Sequence, residues 1–404
     1  MPRFQTGHGY IRSLLICIVL STGSCSRSGH NDHAGYTVEM LNGVRLQRFA
    51  VSHQAQLNPF TIEKAVTYGT DQGADTYLLS RPFPTGIDGD GILYVMDLMT
   101  AVHRFGPDGT HLGQFYQRGQ GPGEFTMLQD LVVDDPYLYS ADLILNRMNV
   151  FDPDGTWLRS ITIPADAERS PYWSIWGPPS ERRFMVWHFH ADRPTSDDAV
   201  TMHTGYRLNL LDPHFQIIAT PMDTSWSQDI IQIDGRSYSI PFTIQRPQVA
   251  LAPDLPVAWS WGREFQVDFY DVRTGDRWAT VIPVDPVPVT SAMKEWYFER
   301  IREPDRAAQV RRHIRFPEHA ALIENTPLHW DRSGRLWIRE FTDPTITGAP
   351  DRYQVFSRNG LWLFTQDLPS GVWLITAERV YCRDSLEDGT PVIQAWDFRS
   401  VEGG

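Results

Sequence analysis

Alternation of apolar and polar positions is sharpest between Ile92 and Ile163, where one pattern of short strands occurs twice. The first copy reads ILYVMD (Ile92–Asp97), VHRFGPDG (Val102–Gly109) and THLGQFY (Thr110–Tyr116). The second reads YLYSAD (Tyr137–Asp142), MNVFDPDG (Met148–Gly155) and TWLRSITI (Thr156–Ile163). A period of two between Asp/Pro/Gly turns predicts antiparallel strands. The copies are offset by roughly 45 residues, the period expected of a four-stranded propeller blade.

The pattern extends, less regularly, along the chain. It predicts blade one at about Pro84–Tyr116 and blade two at about Gln129–Ile163. Blade three begins near Tyr172 and uses Phe184–Phe189 and Tyr206–Asp212. Blade four runs from Pro247 through Val257–Trp261 and Phe265–Asp271 to Trp278–Val284. Blade five contains His329–Glu340 and Tyr353–Gly360, and blade six Arg379–Asp384 and Pro391–Phe398. Blade six is short, so the strands expected in Val38–Ser52, with a turn at Asn42-Gly43, are assigned to complete it. An acid recurs at the end of the second strand (Asp97, Asp142, Glu340, Asp384), with His188 at that place in blade three. The reading is an all-β, six-bladed β-propeller over residues 36–404.

The turns between first and second strands, and between third and fourth, are short. The long segments (Gln117–Leu128, His188–Gly205, Pro221–Arg246, Asp285–Asn325, Phe341–Arg352) therefore fall on the opposite face, where function on a rigid scaffold is expected. The longest, about 285–325, predicts a helical insertion between blades four and five. Ser291–Arg302 carries Met293, Trp296, Tyr297 and Ile301 on one stripe, Pro304 stops it, and Asp305–Ile314 can form a second helix. Arg300, Arg302, Arg306, Arg311, Arg312 and Arg315 form a basic cluster there, expected to meet the acidic body of the protein.

Between the two clearest copies lies GQGPGEF (Gly119–Phe125). Its glycines suit a tight turn, Phe125 is expected to plug between blades, and no Lys-Ser/Thr follows to make it a phosphate loop. With the strand–Asp–Arg–Phe–Asp–Gly order around it, this run resembles the NHL-repeat six-bladed propellers, above all those of secreted bacterial lipoproteins. The resemblance covers about residues 80–165. It implies the fold, and a structural role for the recurring acid in tying down the turn to the third strand. For function it implies protein- or RNA-binding scaffolds and a few lyases.

Composition narrows this. The chain has 404 residues and a net charge of −13, which argues against a large phosphate-binding surface and a nucleic-acid partner. The 14 Trp, 15 Tyr and 20 Phe suit packing between twisted sheets. At the N-terminus Arg3 and Arg12 precede Leu14–Leu20 and then Ser21-Thr22-Gly23-Ser24-Cys25. Seven apolar residues are too few to span a bilayer, which needs about 20. They read as a signal peptide over 1–24. Cys25 is then a lipidation site followed by a polar tether through residue 35. Cys382 remains as a buried, inert thiol. The expected location is extracytoplasmic, in the periplasm or on the bacterial outer membrane, held to the membrane only through the lipid.

Alignment of the first strands places Thr85, Asp130, Trp176, Val249, His329 and Trp373 around the channel. His188 and His190, two apart on a strand, share a face and have ligand spacing for a divalent metal, while His188 also occupies the recurring acid position. The candidate ligand-binding residues are accordingly Asp130, Trp176, His188, His190, His329 and Trp373. No local catalytic motif accompanies them. Two functions follow: a monomeric module that binds a protein, glycan or small molecule through its loop-rich face, with no cofactor, or a metal-assisted lyase or hydrolase at the channel mouth.

Overall fold

The computed structural model describes residues 35–53, 55–69, 79–97, 101–115, 118–142, 144–162, 175–176, 184–191, 200–212, 216–233, 236–244, 247–252, 254–262, 264–324, 326 and 328–400. The expected signal peptide, Cys25 and nearly all of the tether lie outside them. The fold is an all-β propeller with two short helices.

The described strands form six sheets. The first holds Pro82–Ile87, Leu93–Asp97, Ala101–Phe105 and His111–Phe115, and the second Leu128–Asp134, Tyr137–Asp142, Arg147–Phe151 and Trp157–Thr162. The third comprises Ile175–Trp176, Phe184–Ala191, Val200–Leu211, Ile217–Ile233 and Arg236–Ser239. Gln248–Ala250, Val257–Ser260, Gln266–Tyr270 and Arg277–Val281 make the core of the fourth. His329–Trp330, Arg335–Arg339, Asp351–Ser357 and Trp362–Leu368 make that of the fifth. Val372–Ile375, Arg379–Ser385 and Pro391–Ser400 begin the sixth.

Strands inside a sheet are buried on both faces because each sheet packs against two others. Tyr137–Asp142 is buried at every position but its first. Apolar clusters lie at successive junctions. Tyr94, Phe125 and Phe151 join the first and second sheets, and Tyr139, Val150 and Leu211 the second and third. Leu208, Met222 and Trp259 join the third and fourth, and Phe269, Trp278 and Phe356 the fourth and fifth. Trp337, Phe364 and Val380 join the fifth and sixth; Tyr68, Phe105 and Tyr381 join the sixth and first. Burying such side chains contributes about 1.5–3 kcal/mol each.

The N-terminal segment departs from the expectation. The Tyr36–Leu41/Val44–Phe49 hairpin turns at Asn42-Gly43 with φ of 51° and 81°, as a two-residue hairpin turn requires. It does not complete the sixth sheet. Arg45–Arg48 pairs in parallel with Trp278–Val281 on the outer edge of the fourth. Gln56–Leu57 adds in parallel to the fifth. Phe60–Tyr68 closes the sixth, pairing antiparallel with Ile393–Ser400. Phe60 packs edge-on to Phe364 and near Phe398, while the hairpin's Phe49 packs on Trp362 of the fifth sheet instead. The segment thus runs along three consecutive outer edges, covering backbone groups that would otherwise be open to pairing.

The expected loop at 221–246 is largely strand. Ile217–Ile233 pairs with Val200–Leu211 as far as Val200↔Ile230, then turns back with Arg236–Ser239. Helices α1 (Ser291–Glu299) and α2 (Pro304–His313) stand between the fourth and fifth sheets in sequence. Thr290 caps α1 through its hydroxyl, and Pro304 starts α2. Phe298, Val310 and Ile314 pack on Ile233 with Tyr238, Tyr297, Ile301 and Phe316, so the helices rest on the extended hairpin of the third sheet.

The basic cluster does not reach the acidic body in the contacts the structure shows. Arg311 makes a two-pronged pair with Glu295, and Arg306 and Arg236 both reach Glu303. Arg300 lies over Trp296 at 3.4 Å. The acid partners shown for the cluster, Glu295 for Arg311 and Glu303 for Arg306, lie on or next to the helices themselves.

Two of the recurring acids are structural, with a role wider than expected. Asp97 accepts the Ser80 and Arg81 N–H groups ahead of the first strand (2.9 and 2.5 Å). Asp142 accepts Thr126 N–H at 2.6 Å as well as Ile144 and Leu145 in its own turn. Glu340 takes a side-chain bond from Gln354 instead. Asp384 is exposed, and Asp351 receives the Gly371 N–H ahead of the sixth sheet.

Candidate ligand site in the central channel

A cavity of about 1010 Å³ lies among the first strands of the sheets. Phe83–Ile87, Leu131–Asp135, Val249, Leu251, Leu328–Asp331 and Trp373–Thr376 line it. The strands approach closely: a Cβ added to Gly86 would stand 2.7 Å from the Val133 side chain, so glycine is required there. Of the six positions expected on the channel, Thr85, Val249, His329 and Trp373 line this cavity. Asp130 pairs with Ala141 on the first strand of the second sheet, and Trp176 with Met185 on the first strand of the third. The side chains of both lie outside the described residues. His188 and His190 stand on the second strand of the third sheet, opposite Arg207 and Gly205. Their side chains also lie outside the described residues, so the metal reading there rests on spacing alone.

The wall has an aromatic side and a polar rim. Phe83 and Trp373 meet edge-to-face at 4.9 Å. Trp330 also lines the cavity, and its buried indole N–H has no hydrogen-bond partner. The Thr85 hydroxyl is used internally, donating to the Tyr94 carbonyl at 3.0 Å. Burial of His329 pushes its imidazole down to about 4, so it is neutral at pH 7 and able to accept or donate a hydrogen bond.

The polar rim lies at the end carrying the short turns. Arg332 donates to the Ile87 carbonyl at 2.6 Å and Arg358 to the Asp254 carbonyl at 3.3 Å; Asp134 and Asp135 line the same cavity. Asp331 is committed to the fold. Its carboxylate accepts Ser333 N–H, Arg335 N–H, Arg335 Nε and the Trp337 indole. Loop length pointed to the opposite face, so this rim was not anticipated. Arg332 and Arg358 sit in tight turns whose Asp/Ser/Gly composition reads only as turn chemistry.

The long-segment face has its own cavity of about 640 Å³, lined by Phe242, Trp261, Glu264, Phe265, Pro283, His319, Leu322 and Arg48 among others. Phe242 holds φ of 63°, uncommon for an aromatic residue, and its ring lies against Phe316, Trp296 and Phe341.

GQGPGEF is not an anion loop. Glu124 accepts the Gly121 N–H at 2.7 Å, filling the place an anion would take. Phe125 is fully buried against Phe151, as expected of a plug. Cys382 is buried, and desolvation pushes its thiol up to about 12, which leaves it unreactive. Among the described residues no group of three or more His, Cys, Asp or Glu is placed to hold a metal ion. No helix among them is long and apolar enough to cross a membrane.

No protein-family model matches the chain, and no curated protein is similar to it in sequence. Solved structures are similar in fold. A Bacteroides fragilis protein assigned as exported is 11% identical, with a TM-score of 0.49 over 88% of this chain and 99% of that one. A member of the DUF4221 family from Bacteroides vulgatus is 11% identical (TM-score 0.44, 85% and 99%). A streptogramin B lyase is 9% identical (TM-score 0.39, 84% and 98%). At these values the likeness carries no argument about activity.

Proposed function

We propose that this protein is an exported, lipid-anchored, six-bladed β-propeller that binds a small ligand in its central channel. The observation that carries the reading is the cavity of about 1010 Å³, walled by Phe83, Trp330 and Trp373 and rimmed by charge. A preformed, mainly apolar cleft with a few polar groups is the usual form of a ligand site. The six junction clusters support one blade per sheet. Export and lipidation at Cys25 are supported by the Arg3/Arg12, Leu14–Leu20 and Gly23-Ser24-Cys25 pattern. The protein acts as a monomer, and its membrane contact is the lipid alone.

The test is a tryptophan-fluorescence titration of the soluble domain against a panel of small aromatic and sugar ligands. A channel binder changes the emission saturably, and Trp373→Ala removes most of that change while circular dichroism stays native. A response that survives Trp373→Ala unaltered contradicts the channel assignment. The alternative, a metal-assisted lyase or hydrolase, is favoured by the neutral His329 in the same cavity. It requires stoichiometric Zn²⁺ or another divalent metal in purified protein, lost in His329→Ala. For the anchor, wild type should fractionate with membranes and Cys25→Ser should not; wild type wholly soluble in the periplasm refutes lipidation.

A further inference from the structure

Apart from Arg383, the arginines on the strands of the fifth and sixth sheets are matched to acids. Arg335 pairs with Asp331, Arg339 with Asp351, Arg352 with Asp367 and Arg379 with Asp397, at 2.6–2.8 Å. Arg383 breaks the pattern. It is half-buried, and its Nε is buried without a hydrogen-bond partner. Among the described residues no carboxylate pairs with it or with Arg81 beside it. Burial first, and then the charge of Arg81, lowers the Arg383 pKa from the ordinary guanidinium range.

Both guanidiniums lie over the same aromatic group. Arg383 Cζ is 4.6 Å from the Phe83 ring centre and 5.3 Å from that of Trp373, and Arg81 Cζ is 5.5 Å from Phe83. Cation–π contact orients a guanidinium but neither neutralises it nor accepts its N–H groups. Two like charges held together, one with an unmet buried donor, disfavour each other until an anion joins them. A planar pair of oxygens suits the fork of donors that guanidinium presents. Phe83 and Trp373 also form the wall of the channel cavity, so an anion held here would have its apolar body in that cavity.

We propose that Arg81 and Arg383 form an oxyanion site at the end of the channel away from the short turns, and that the ligand is a small molecule with a carboxylate or phosphate group on a flat apolar body. This rests on the channel reading above and specifies the chemical class of its ligand. The anionic group bridges the two guanidiniums, Arg383 Nε donates to it, and the body lies against Phe83 and Trp373.

The experiment titrates the soluble domain with benzoate, its neutral isostere benzamide and inorganic phosphate, read by tryptophan fluorescence and calorimetry. Benzoate is expected to bind at least tenfold more tightly than benzamide. Arg383→Gln should weaken benzoate at least tenfold and leave benzamide unchanged, Arg81→Gln should weaken it severalfold, and Arg383→Lys should restore part of the loss. Circular dichroism confirms that each variant is folded. Equal binding of benzoate and benzamide, both sensitive to Trp373→Ala, overturns the oxyanion site and leaves the channel reading standing. Phosphate binding that is lost in Arg383→Gln but indifferent to Trp373→Ala keeps the oxyanion site, identifies free phosphate as the source, and removes the channel reading. No saturable binding of benzoate or phosphate with a Kd below about 10 mM overturns the proposal.

Discussion

The first two sheets and the helical insertion solve the same problem, holding irregular backbone in place, by opposite means. In the sheets, Asp97 and Asp142 are buried, with relative exposures of 4% and 0%, and accept N–H groups from the chain ahead of the first strand. In the insertion the charges are outside. Glu295 and Arg311 pair at the surface, and the helices are held by a small separate core around Phe298, Val310 and Ile314. A buried acid with several backbone donors cannot be removed without leaving them unmet, whereas a surface ion pair can be lost to water at little cost. The ring is therefore predicted to be intolerant and the insertion dispensable.

The largest effect should come from the junction of the first and second sheets. Phe125→Ala empties a fully buried site between Tyr94, Leu128 and Phe151 and is expected to cost about 3–5 kcal/mol, read as the denaturant midpoint. Asp142→Ala leaves the Thr126, Ile144 and Leu145 N–H groups unpaired, for an expected loss of about 1–3 kcal/mol in the same measurement. Either variant melting like wild type would break the contrast from the ring side. At the other extreme, Arg311→Ala should leave the melting temperature unchanged.

Acid sharpens the same contrast, because the groups shifted furthest in this pH range belong to the ring. Burial first, and then His111, hold His103 at about 4, and burial holds His329 at about 4. Each binds its proton more readily when unfolded, near pH 6.5. Their contribution to stability is therefore present above pH 6.5 and lost as pH falls toward 4. Asp268 works against this: burial raises it to about 6, so between pH 6 and 4 the folded state takes up its proton first. The expected net result is falling stability from pH 6.5 to 4. His103→Gln should flatten that limb and Asp268→Asn should steepen it, in thermal melts across the range.

How much of this was legible follows from how local each signal is. The two copies in Ile92–Ile163 carry their turns, their Asp acceptors and the Phe125 plug in adjacent sequence, and they fold as read. Thr85, Val249, His329 and Trp373 were found by counting within the repeat. The strands expected in Val38–Ser52 were misassigned to the sixth sheet because strand pairing across nearly the whole chain leaves no local mark; Phe60–Tyr68, which closes that sheet, was not singled out. The arginines at the two ends of the channel were missed for a related reason. Arg332 and Arg358 occupy short turns, and Arg81 meets Arg383 only because the sixth sheet closes against the first. Loop length pointed to the elaborated face, which holds a cavity of its own and the Arg81–Arg383 end of the channel, but not the rim of Arg332 and Arg358.

The most direct test of the division between ring and insertion is removal of Ser291–Ile314. The base of the insertion is already tied: Ala320 N–H donates to the Val287 carbonyl at 2.8 Å and Val289 N–H to the Glu318 carbonyl at 2.9 Å. A short Gly/Ser linker can therefore join Thr290 to Arg315 without pulling on the sheets. Differential scanning calorimetry of this deletion should show one cooperative transition with the sheet signature retained in circular dichroism, and lost protection confined to the hairpin around Ile233 and Tyr238. A deletion variant that is unfolded at room temperature, or that loses protection in the strands of the first and second sheets, would contradict the account.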